Sequence, residues 1–112
     1  MMKRPWAMVA MLLFLASPAR AELLTGSGKV KVLLHWEGHS GPLLTLGQMQ
    51  ATEGSCPRND YYMLPRNHSF FNVDYALILG AMLAGKPIGV LIERGDCVEG
   101  LPRISHVYVD ER

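Results

Sequence analysis

The segment from Phe71 to Ala84, FNVDYALILGAMLA, constrains this chain more than any other, because Asp74 is its one residue charged at neutral pH. Phe71, Tyr75, Leu79 and Met82 step by 4, 4 and 3, the spacing of one large apolar stripe on a helix. Ala76, Gly80 and Ala84 form a second stripe of small residues. Ser69 or Asn72 is the expected N-cap, and Asp74 suits the first turn, where a carboxylate meets the positive end of the helix dipole. Gly85 stands where a left-handed residue closes a helix, and Pro87 forbids continuation. A helix of this length is too short for a bilayer core of about 30 Å. Apolar almost all round, it must be buried in a domain, and the small stripe would let another backbone approach closely.

The flanking sequence alternates instead. In GKVKVLLHW, Val30, Val32, Leu34 and Trp36 fall on one face, a half-buried strand. The turn formers Glu37–Pro42 end it. Leu43–Met49 is a second strand, with Gly47 suggesting a bulge, and Tyr61–Pro65 is a short third strand stopped by proline. After the helix, Pro87–Glu93 and a final strand from Arg103 flank a glycine-rich hairpin loop. Glu22–Ser27 reads as a short disordered lead. The order is β-β-β-α-β-β, mostly β with one helix. Five strands in that order predict an OB-fold-like barrel with the helix plugging one open end. The rival is an α+β sandwich with the helix lying on one sheet face.

The N-terminus sets the compartment. Lys3 and Arg4 precede an apolar block, Ala7–Ala16, and Ala19-Arg20-Ala21 has the small-residue form of a cleavage site. Residues 1–21 are therefore expected to be a signal peptide, with residues 22–112 a single exported domain, periplasmic or secreted. Lys3, Arg4 and Arg20 leave with the leader, so the rest keeps fewer Lys and Arg than Asp and Glu, and nucleic acid is not an expected partner. No membrane span is expected after signal removal. A domain of roughly 90 residues is marginal without a staple. Cys56 and Cys97, an even pair in an exported chain, read as a disulfide closing a loop of about 40 residues. Free thiols or a metal site are the alternatives, although no CxxC spacing supports either a redox pair or zinc.

The C-terminal half carries a further pattern: Ala84-Gly85-Lys86-Pro87-Ile88 at the helix end, then Cys97, then Gly100-Leu101-Pro102-Arg103-Ile104-Ser105-His106-Val107-Tyr108-Val109. It resembles a family of small exported bacterial proteins. More distantly it is similar to the B subunits of subtilase-cytotoxin-type AB5 toxins, OB-folds with an intrachain disulfide that form pentamers and bind sialylated glycans. The resemblance covers about 40 residues and implies the barrel, the Cys56–Cys97 bridge, a homo-oligomer and carbohydrate binding. It transfers no binding residue.

Catalytic chemistry has no visible set. His35 and His39 are four apart, but a strand followed by a turn does not bring such positions together. Ser105 and His106 are adjacent on a strand, so their side chains should point to opposite faces. Nothing resembles a nucleophile elbow, a phosphate loop or a metalloprotease motif. The expectation is a non-enzymatic protein without a cofactor or metal. Aromatic faces stack on sugars, and OB-folds bind on the early strands and their loops. Trp36, His39 and Tyr61 are the candidate ligand residues, although Trp36 by alternation belongs to the core. The expected role is a binding module for a glycan or an exported protein. The alternative is a small monomeric periplasmic structural or inhibitor protein.

Overall fold

The computed structural model describes residues 22–109. The expected signal peptide, residues 1–21, lies outside them. The elements are β1 (Leu23–Leu34), β2 (Leu43–Gln48), a 3-10 turn (Gln50–Thr52), β3 (Tyr62–Met63), α1 (Phe71–Ala84), β4 (Pro87–Val98) and β5 (Leu101–Val109). Five strands and one helix between the third and fourth match the expected order.

The strands form one sheet that closes on itself. β1 pairs antiparallel with both β2 and β4, β2 with β3, and β4 with β5, while β5 runs parallel to β3. In space β3 therefore neighbours β5, not the β4 that follows it in sequence. The seam between them is short, because β3 has only two residues and meets β5 at the single register pair Met63 and Arg103.

β1 departs from its sequence pattern at both ends. Leu23–Ser27, expected as a disordered lead, pairs with Glu93–Gly89 of β4. Beyond Ser27 the β1–β2 ladder shifts register twice, between Ser27 and Val30 and between Val30 and Val32. Bulges of this kind bend a strand. The first lies on β1 at Gly28, whose φ of 122° a side chain would resist and whose Cα faces the Gly47 backbone. Gly47 is thus the close neighbour of a bulge, not its site. The second bulge puts Lys31 and Val32 opposite Thr45. Val30 and Leu33 then turn into the main core while Val32 faces out.

The main core fills the inside of the closed sheet with Val30, Leu44, Leu46, Tyr62, Ile88, Val90, Ile92 and Ile104, and α1 adds Ile78 and Ala81. On the other face of β2 and β3, Leu43 and Met63 pack with Leu101, flanked by Leu34, Tyr61 and Val98. Tyr62 spans the interior: its hydroxyl shares a 2.8 Å hydrogen bond with Thr52 Oγ1, which also lies 2.9 Å from the Met49 carbonyl.

α1 ends as expected, with Gly85 left-handed at φ 68°. Its start differs: Phe70 holds the N-cap position, and no side chain caps it. Neither Ser69 nor Asn72 does so. The buried face also differs. Asp74, Ile78 and Ala81 are inward, with Phe71, Tyr75 and Met82 partly covered. The small residues Ala76, Gly80 and Ala84 are exposed, as are Val73 and Leu83, the latter 80% accessible. A helix apolar on every side contains no periodic signal saying which side faces in.

Cys56 and Cys97 form the expected disulfide, with Cα atoms 5.9 Å apart. It ties the loop before β3 to the end of β4. Alongside it, the Arg58 amide donates to the Gly100 carbonyl at 2.8 Å.

Candidate functional site

The β1–β2 loop and the β4–β5 turn meet at one end of the sheet. Glu99 and Gly100 form a two-residue turn with φ of 55° and 83°, the positive values that tight hairpins require. That geometry aims the Glu99 carboxylate across at the other loop. Ser40 donates to it twice, from its amide to Oε1 at 3.2 Å and from its hydroxyl to Oε2 at 2.7 Å. The Ser40 hydroxyl bond holds the Glu99 carboxyl below the usual carboxylate range, with smaller help from the Ser40 amide and His39.

The same loop is braced from behind. The Arg66 amide donates to the Ser40 carbonyl at 2.9 Å, and the Leu64 amide to the Pro42 carbonyl at 3.1 Å. Gly41 lies so close to the Leu64 carbonyl that any side chain there would overlap it. Within this frame the His39 amide donates to the Trp36 carbonyl at 3.1 Å, and the two rings lie 6.5 Å apart at 50°. Trp36 is 57% accessible. Its alternation with Val30 predicted a core position. The intervening bulge and the end of β1 at Leu34 place it in the loop instead. One ring atom of the half-buried His39, Nδ1, is enclosed without a hydrogen-bond partner.

Trp36 and His39 thus share one surface, whereas Tyr61 is half-buried against the smaller apolar cluster. Ser40 and Glu99 complete the rim and were not foreseen. The Glu-Gly turn carried a hairpin signal, but nothing in the sequence links two residues 59 positions apart.

The remaining polar groups are dispersed. His68 Nδ1 accepts from the Phe70 amide at 3.0 Å, and its Nε2 lies 3.0 Å from the Ser105 carbonyl. Asp74 Oδ2 sits 3.7 Å from that ring, buried and without a hydrogen bond. Burial pushes the Asp74 carboxyl up from its ordinary range, partly offset by His68 and His106. Ser105 and His106 do touch, Oγ to Nδ1 at 3.1 Å, because the β4–β5 ladder shifts register between Leu91 and Ile92, opposite Ser105. Ser105 Oγ nevertheless donates to the Leu91 carbonyl at 2.8 Å, so its proton is not directed at a base. Among the described residues, no three His, Cys, Asp or Glu side chains are grouped to hold a metal ion. No helix among them is long and apolar enough to cross a membrane. A shallow cleft of about 240 Å³ lies elsewhere, where Tyr108 rests over Gly89 beside Ser27, Gln48 and Pro87.

Compared with known proteins, the chain matches no protein family, no curated protein and no solved structure.

Proposed function

We propose that this chain is an exported, non-enzymatic binding module of the OB-fold-like class, which takes a glycan at the rim built from Trp36, His39, Ser40 and Glu99. One observation carries the reading: an accessible indole stands on a loop that hydrogen bonds brace on two sides. Holding the ring before the ligand arrives lowers the ordering cost of association. An indole face suits the C–H face of a sugar, while the Glu99 carboxylate and His39 offer acceptor and donor groups to hydroxyls. The closed sheet in the order β1-β2-β3-β5-β4, with the helix between β3 and β4, supports an OB-fold-like barrel. Such barrels bind on the β2–β3 face and on the loops after β1 and β4. Here Leu43 and Met63 on that face are covered by the chain's own side chains, which leaves the loops.

Trp36 is the one tryptophan outside residues 1–21, so intrinsic fluorescence of the oxidised residue 22–112 protein reports on this rim alone. Glycan-array hits should quench or shift that emission saturably. Binding followed by calorimetry should weaken tenfold or more in Trp36→Ala, about 1.4 kcal/mol. Unchanged affinity in that variant overturns the assignment of the site. A blank array together with monomeric mass by light scattering favours the small structural or inhibitor protein.

A further inference from the structure

Behind the rim, the residue just past β1 and the first turns of α1 border a separate shallow cleft of about 250 Å³, lined by His35, Pro42, Arg66, Phe71 and Tyr75. Its aromatic wall is a stacked pair: Phe71 and Tyr75, one helical turn apart, have ring centroids 5.8 Å apart and planes 10° from parallel. Arg66 stands over it, with its backbone amide fixed to the Ser40 carbonyl. One guanidinium nitrogen, Nη2, lies 2.8 Å from His35 Nε2. Arginine has donors only, so the imidazole nitrogen accepts. Among the described residues this is the guanidinium's one side-chain hydrogen bond. Among the described residues, Arg58, Arg94 and Arg103 each face a carboxylate within 4 Å, whereas Arg66 does not. A cation with free forked donors, beside a stacked aromatic pair, thus has no anion among the described residues.

We propose that this cleft binds a small carboxylate attached to a flat apolar ring. The carboxylate takes the remaining guanidinium N–H groups as a bidentate pair, and the ring lies against Phe71 and Tyr75. An arginine fork matches a carboxylate in a way a lysine point charge does not. Offset stacking on the aromatic wall fixes the other end of the ligand. The volume falls below the usual 300–1,000 Å³ of drug-sized sites, so one ring with a short acid arm fits and an extended chain does not. The site stands apart from the glycan rim, since no ligand contact at Trp36 is needed.

The test is a ¹H–¹⁵N NMR titration of the oxidised residue 22–112 protein with phenylacetate, with acetate and benzyl alcohol as the two half-ligands. Phenylacetate is expected to give saturable shifts centred on His35, Arg66, Phe71 and Tyr75, and each half-ligand to bind at least tenfold more weakly. Arg66→Gln should lower phenylacetate affinity tenfold or more with an otherwise unchanged spectrum, and Arg66→Lys should recover only part of it. Tyr75→Leu keeps apolar bulk at the core edge and should weaken phenylacetate while leaving acetate unchanged. Trp36→Ala should have no effect, which separates this site from the rim. Shifts that do not saturate, that acetate or benzyl alcohol reproduces, or that survive Arg66→Gln overturn the proposal.

Discussion

Replacing both bridging cysteines by alanine removes the tie beside the short β3–β5 seam of the sheet. The disulfide spans 41 positions. A cross-link over a loop of that length lowers the entropy of the unfolded chain by an amount worth about 4 kcal/mol at room temperature in the chain-entropy model. The folded side of the balance points the same way. β3 has two residues and one register pair with β5, so apart from the packing of Met63 against Leu101 little backbone pairing holds that seam. The neighbouring Arg58-to-Gly100 hydrogen bond joins the same two loops and is expected to weaken with the bridge. For a domain of 60–100 residues each kcal/mol moves the midpoint by roughly 4–8 °C, so Cys56→Ala/Cys97→Ala should melt about 15–30 °C below the oxidised protein. Thermal unfolding followed by circular dichroism measures this directly. Reduced wild type should melt near the double variant. A fall of less than about 5 °C in both would show that the seam is held by something other than the bridge and that the unfolded-state reasoning fails here.

Other perturbations test the interior. Gly80 lies mid-helix with nothing within 4 Å of an added Cβ, so Gly80→Ala should raise stability by about 1 kcal/mol in urea titration; a loss would mean the small stripe is covered after all. Tyr62→Phe removes a buried hydroxyl but leaves Thr52 Oγ1 able to donate to the Met49 carbonyl, so it should cost only about 1 kcal/mol in the same assay. Burial also raises the Tyr62 phenol above its ordinary value of 10.0. The folded state therefore holds that proton more tightly than the unfolded chain, and Tyr62 makes stability fall as pH rises above about 10, a fall that Phe should lessen. Asp74 has a raised pKa too, so its contribution is greatest in acid and is lost as pH rises through the folded value. Asp74→Asn should match or exceed wild type in urea midpoint at pH 7, with the difference closing in acid; a marked deficit at pH 7 would show that the carboxylate is held by favourable contacts.

What the sequence revealed follows from how local each signal is. The C-cap at Gly85 depends on a few adjacent residues and appears where expected, whereas β3 is only Tyr62–Met63 and ends before Pro65, and the glycine-rich loop expected between Glu93 and Arg103 is strand apart from the turn at Glu99 and Gly100. The cysteine pair was legible because the described chain has no other cysteine to choose. Three features were hidden. Val30, Val32, Leu34 and Trp36 alternate, and the apolar Leu33 on the opposite, lysine-bearing face is the one departure, too slight by itself to locate the bulge that reassigns their faces. On α1, apolar residues occur on all sides, and only tertiary packing selects the Asp74, Ile78 and Ala81 face. The rim depends on Ser40 meeting Glu99, a contact set by how the sheet closes. Trp36 and His39 could be picked out as residue types. Their exposure could not, because it depends on where β1 ends.

The second bulge in β1 has a further consequence for how the strand can vary in length. Two residues, Lys31 and Val32, occupy the space opposite Thr45, while Val30 meets Leu46 and Leu33 meets Leu44 on either side. Lys31 is therefore surplus to the pairing. Deleting it would leave each inward residue opposite its present partner and make the ladder regular at that point. Deleting a residue further along, at Leu33, would move Leu34 opposite Leu44 on the main core and bring His35 opposite Leu43, where Leu34 now flanks the smaller cluster. What Lys31 contributes is curvature, since a bulge bends its strand and increases local twist. In this stretch of β1, chain length and side-chain identity thus encode different things: the identities select the two cores, and the extra residue turns the corner between them.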